Sequence, residues 1–256
     1  MKTKKCSKRL LMYEIRNVIG NPFIAFFGTV FPVMMLMIIT FALKKEVPAS
    51  MLKESNTSVF ITMSLIIPMA VILLGHSANY SQELEKEIPV RMQLFGFSTN
   101  SIMTAKIIAQ TVTLTAALIL YTVFSYAAVD LQVPSLSSAL CLVICLYVLG
   151  IFFFLFAHGL SNIIKKFGPT YTICMFFYFG IMMLCGMMGI RTEQLPKSLK
   201  TLASFIPMSY IGNDFIDFWQ GGSYNFGPMI QAFLFFGALC GLLMIYANYK
   251  NRRVIK

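Results

Sequence analysis

The chain has 256 residues, of which 57% are hydrophobic and only 12% charged. A soluble domain carries about a quarter charged residues, so the apolar content is divided among several membrane spans, not gathered into one water-soluble core. The formal net charge of +11 sits beside apolar segments, as at a cytoplasmic membrane surface, which argues against a nucleic-acid partner.

The first twenty residues are basic and helical in pattern. Leu11, Ile15 and Val18 fall on one face, and Arg9, Tyr13 and Arg16 on another. Such a helix lies in the interface plane with its basic side toward anionic headgroups. Gly20 suits its C-terminal cap, and Asn21-Pro22 opens the next helix. The following apolar run is too long for a signal peptide's core and lacks a small-residue cleavage site, so it reads as a retained first span.

Six spans follow: 23–43, 58–78, 107–129, 136–160, 169–190 and 226–249. At about 1.5 Å per residue a 21-residue helix covers about 30 Å, one hydrocarbon thickness. Pro32 and Pro68 should kink spans one and two. The expected fold class is therefore an all-α integral membrane protein: one transmembrane domain over 1–256. It has an interfacial helix at 1–21, spans one to five within 22–189, short outer helices at 190–225, span six at 226–249 and a tail at 250–256.

Orientation follows from Lys and Arg placement. With the N-terminus inside, the inner segments hold fifteen of the 21 basic residues and the outer segments six. Both termini are thus expected in the cytoplasm. No Asp, Glu, Lys or Arg is expected near the bilayer midplane, which disfavours an ion-coupled transporter.

The segment from Tyr80 to Phe97 reads as an acidic loop between spans two and three. Ser81 is a candidate N-cap, with Glu83, Glu85 and Glu87 at the positive start of a helix. Leu84, Ile88 and Phe95 form an apolar ridge, and Glu87 and Arg91 an i,i+4 pair. This makes a surface for a soluble partner; the plainer reading is a solvated connection. After span five, Leu195-Pro196 precedes an amphipathic stretch that Pro207 stops, and a second apolar piece with Tyr210 continues to Trp219. These read as two short, non-spanning helices in the outer leaflet, with Tyr210 and Trp219 as interfacial anchors.

Five of the six cysteines lie in apolar runs and read as buried thiols without disulfides. His76 and His158 could form a metal pair, but no acidic or thiol ligand shares their spacing, so helix-end histidines bonded to neighbours is the preferred reading. Gly237 and Gly241 form a GxxxG, and Gly180, Gly186 and Gly189 a small-residue face; both read as helix packing, within or between subunits. No catalytic set converges, and there is neither a P-loop signature nor any Gly-Lys pair. The chain therefore needs no cofactor of its own.

The N-terminal interfacial helix, the acidic loop and the run Leu195-Pro196 to Ile206-Pro207-Met208-Ser209-Tyr210 together resemble permease subunits of type-2 ABC exporters. In that family the loop usually carries Gly-Thr and then Thr-Pro; here Glu87-Ile-Pro-Val-Arg91 and Phe95-Gly-Phe-Ser98 stand instead. The resemblance implies that the loop docks on a separate cytosolic ABC ATPase, which holds the ATP and Mg. It also implies a dimer with a second copy or a paralogue, with spans one and five at the interface, and an outer gate near Leu195, Pro196, Pro207, Tyr210 and Trp219. It places the protein in the cell membrane of a bacterium, expelling an amphiphilic substrate such as a drug, antimicrobial peptide, lipid or glycolipid. An ATP-independent channel or membrane scaffold is the alternative.

Overall fold

The computed structural model describes residues 6–188 and 194–254, apart from the side chains of 213–214 and 252–254. Among the described residues there are helices and no extended strands, and six helices are long and apolar enough to cross a membrane. They are span one (Pro22–Glu46), span two (Ala49–Glu85), span three (Thr99–Ala128), span four (Leu136–Ile164), span five (Phe167–Leu184) and span six (Phe226–Asn251). Four shorter helices complete the fold: α1 (Lys8–Ile19), α2 (Ile88–Leu94), α3 (Lys197–Ala203) and α4 (Pro207–Trp219). The chain is a multi-pass, all-α membrane protein. The expected end of span five at Ile190 and the outer Arg191 lie outside the described residues.

Local chemistry sets the boundaries. The Ser7 hydroxyl accepts the Leu10 N–H (3.3 Å) at the start of α1, satisfying one of the donors a helix start leaves free. Gly20 closes the helix, its N–H donating to the Arg16 carbonyl at 2.9 Å. Asn21 then caps span one by accepting the Phe23 N–H (2.9 Å), with Pro22 at the first helical position. Both internal prolines sit beside a stretch of wider π-helical turns, Phe26–Val30 before Pro32 and Met69–Leu74 after Pro68. Such turns absorb the ladder mismatch that a proline creates.

Span two is the axis of the bundle: every residue from Phe60 to Ala78 is buried. Its neighbours keep one side open. On span one, Phe26, Val30, Met34, Met37 and Phe41 are exposed at helical spacing. Span one meets span two closely, since a Cβ on Gly28 would lie 2.7 Å from Val71 and one on Gly75 2.5 Å from Ile24. Within the GxxxG, Gly237 packs against Phe152 of the same chain, while Gly241 meets nothing within 4 Å.

The helices outrun the apolar stretches that announce them. Span two starts at Ala49 and continues to Glu85, where the sequence suggests 58–78, and span three begins at Thr99 instead of 107. The acidic loop is consequently mostly helix. Ser81 is not an N-cap but lies mid-helix, its hydroxyl donating to the Ser77 carbonyl.

Candidate functional site

A buried polar cluster forms where α1 crosses the end of span two and the start of span three. The inward face of α1 carries Leu10, Glu14 and Val18, with Leu11 and Ile15 half-buried, while Arg9 and Arg16 face out. The helix is thus amphipathic about a face centred on Leu10, Glu14 and Val18, not on Leu11 and Ile15, and that inward face carries an acid. Lys106 Nζ lies 2.9 Å from Glu14 Oε2 and 2.6 Å from Glu83 Oε2, and none of the three side chains is more than 6% exposed. Asn17 Nδ2 donates to Glu83 Oε1 at 2.8 Å. Asn79 donates to the Asn17 carbonyl (3.2 Å) and accepts from Asn21 Nδ2 (2.7 Å). One lysine thus ties α1 to span two while reaching in from span three, and the Asn79 amide ties α1 and the start of span one to span two.

Aromatic rings and imidazoles extend this cluster toward span four. His76 Nε2 and His158 Nδ1 are 3.3 Å apart, so the two histidines bond to each other, although His76 lies inside span two and not at a helix end, because that helix runs on to Glu85. The Tyr80 ring stacks on both, at 5.3 and 4.4 Å between centroids, and its hydroxyl donates to Asn162 Oδ1 at 3.3 Å. Among the described residues, no group of three or more His, Cys, Asp or Glu is arranged to hold a metal.

The three loop acids take three different positions. Glu83 is turned inward to Lys106 and Asn17, not outward to a partner, because span two remains helical through it. Glu85 Oε2 accepts the Phe167 N–H at 2.8 Å, satisfying a free donor at the start of span five. Glu87 is exposed and left-handed (φ 55°), breaking the chain between span two and α2. It does not pair with Arg91: the ion pairs among the described residues are Lys53–Asp130, Lys106–Glu14 and Lys106–Glu83. Leu84 and Ile88 are half-buried, whereas Val90, Arg91, Leu94 and Phe95 are exposed. Leu94 at 76% and Phe95 at 72% exposure stand next to a charged, inward-anchored turn.

At the opposite end, α3 follows Pro196 and Pro207 opens α4, giving the two short helices expected there. Leu195 is half-buried, Pro196 exposed and Pro207 buried. The Tyr210 hydroxyl donates to the Ser204 carbonyl at 3.1 Å, and its own carbonyl accepts from Tyr224 (3.2 Å). Trp219 is not an interfacial anchor. It is buried, its Nε1 donates to the Gln132 carbonyl at 3.2 Å, and its ring meets Phe60 edge-on at 6.1 Å. The spacing Met208, Ile211, Phe215, Trp219 places all four on the buried face of α4, which could have signalled this in the sequence.

The sequence reading missed Glu14, Asn17, Asn79, Lys106 and Gln110. The available signal was Glu14, the only acid in α1, in i,i+4 register with Leu10 and Val18. The family model for the ABC-2 type transporter matches residues 7–218. No curated protein and no solved structure matches the sequence.

Proposed function

The chain belongs to the ABC-2 type transporter family, and from that premise we propose that it is the membrane permease of an exporter driven by a separate ABC ATPase. Membership supports a transporter component and, in general, an ABC ATPase partner. The finer reading concerns where that partner acts. The observation that carries it is the turn after span two: Leu94 and Phe95 stand exposed, while Glu83 and Glu85 immediately before it are anchored to span three, α1 and span five.

In this reading the ATPase grips Glu87, Val90, Arg91, Leu94 and Phe95. Its movement on nucleotide binding passes through Glu83 to Lys106 and α1, and through Glu85 to the start of span five. The work comes from the ATPase's preference for one permease state, since a partner shifts an equilibrium only by its differential affinity. Both termini face the cytoplasm of the cell membrane, as the basic residues favour. The exposed stripe on span one, with Phe176 and Met183 on span five, suits a second permease copy or a paralogue, and an amphiphilic substrate would leave along that interface past α3 and α4.

The test replaces the exposed anchors, Leu94→Glu with Phe95→Glu, and not the buried acids. The ATPase should cease to co-purify while permease abundance and monodispersity hold. Undiminished co-purification and transport would remove this turn from the mechanism.

A further inference from the structure

The cluster under α1 does not balance its own charge. Two carboxylates, Glu14 and Glu83, share the single ammonium of Lys106. With both ionised, the enclosed group holds one excess negative charge, and an unpaired charge out of water is costly. The two acids are not equivalent. Glu83 has Lys106 on one oxygen and Asn17 on the other. Glu14 has Lys106 on Oε2, while its buried Oε1 has no hydrogen-bond partner.

A second buried acceptor, Gln110 Oε1, is also without a partner, and it lines the same cleft as Glu14, Asn17, His76, Asn79, Tyr80 and Lys106. Two acceptors cannot satisfy one another. The cleft has room for about one water molecule, and a neutral water leaves the excess charge in place. One added hydrogen resolves both problems. On Glu14 Oε1 it cancels the charge and turns that oxygen into a donor.

We infer that this cleft is a proton-binding site: Glu14 Oε1 takes one proton from solvent and donates it as a hydrogen bond to Gln110 Oε1, directly or through one water. The cluster passes from one net negative charge to neutral. The other titratable groups around it are committed elsewhere or out of position. On span two, Glu83 is held by two donors and His76 is bonded to His158 of span four. Tyr80 donates to Asn162, and Tyr13 on α1, 44% exposed, lies near the cluster but does not line the cleft; burial and the two acids raise its pKa, so it stays neutral. Among the described residues, Lys106, from span three, is the one cation lining the cleft. Burial raises the Glu14 pKa above the usual carboxyl range; Lys106 opposes this and Glu83 adds to it.

Infrared spectroscopy of the purified chain in lipid nanodiscs, titrated with pH, tests this directly. A protonated, hydrogen-bonded carboxyl absorbs apart from carboxylates. Its band should persist above the pH at which exposed glutamates have ionised, vanish in Glu14→Gln, shift in frequency in Gln110→Leu, and stay put in Glu87→Gln. If Glu14→Gln does not yield folded protein, the Gln110→Leu shift decides. Absence of the band in the native chain, as expected if the Gln110 amide turns to donate to an ionised Glu14, overturns the inference. So does a band that neither substitution alters.

Discussion

The two ends of the bundle solve the same problem with different chemistry. Under α1, charge does the joining: one buried ammonium holds two carboxylates from helices distant in sequence. At the far end, joining is neutral. Tyr121 donates to the Phe60 carbonyl at 2.9 Å and stacks on the Phe60 ring, Trp219 donates to the Gln132 carbonyl, and the Gln132 N–H reaches Thr57 Oγ1 at 2.9 Å. The charged pair of that end, Lys53–Asp130, is exposed. Neutral bonds leave little behind when broken singly; a buried ion cluster leaves stranded charge. The α1 end is thus built to hold as a unit or release as a unit, which suits the end at which a partner would act.

Substitutions break this contrast in graded steps. Lys106→Met leaves the buried Glu83 carboxylate without its counter-ion and Glu14 without its partner, and should cost about 3–5 kcal/mol, read as a large drop in melting temperature in detergent. Adding Glu14→Gln and Glu83→Gln should restore much of it, because removing a whole buried ion cluster is far cheaper than removing one partner. A pH titration sharpens the contrast next. The Glu14 pKa is raised in the folded state, so its contribution to α1 docking is complete below the unfolded-state pKa and is lost as pH rises through the raised value. A spin label on exposed Met12 should therefore grow more mobile with rising pH, and Glu14→Gln should flatten that response; a label beside Trp219 should not respond. Trp219→Phe keeps the ring against Phe60 but loses the bond to Gln132, a loss of about 1 kcal/mol. Asp130→Asn, at an exposed pair, should change stability by less than about 1 kcal/mol, within the error of a melting curve.

The same contrast explains what was legible in the sequence. The six spans were, because lipid demands long apolar runs and little else produces them. The two outer helices were legible because Pro196 and Pro207 punctuate them. The cluster under α1 was not. Lys106 and Glu14 are 92 residues apart, so no local spacing links them, and each alone reads as a solvated charge at a helix end. Glu83 and Glu85 read as a docking surface because hydrophobicity falls after Ala78, where a span would end; the helix continues, and its last turns aim those acids at Lys106 and at the start of span five. Trp219 reads as an anchor from tryptophan's usual preference for interfaces, whereas the period of α4 turns it inward.

The account rests on contact between a partner and the turn after span two. A photo-crosslinking residue placed at Leu94, with a control at the exposed Val133 of the opposite end, tests this in native membranes. The account predicts an ATP-binding protein cross-linked from position 94 and none from position 133. Equal capture from both positions, or capture from neither, would contradict it.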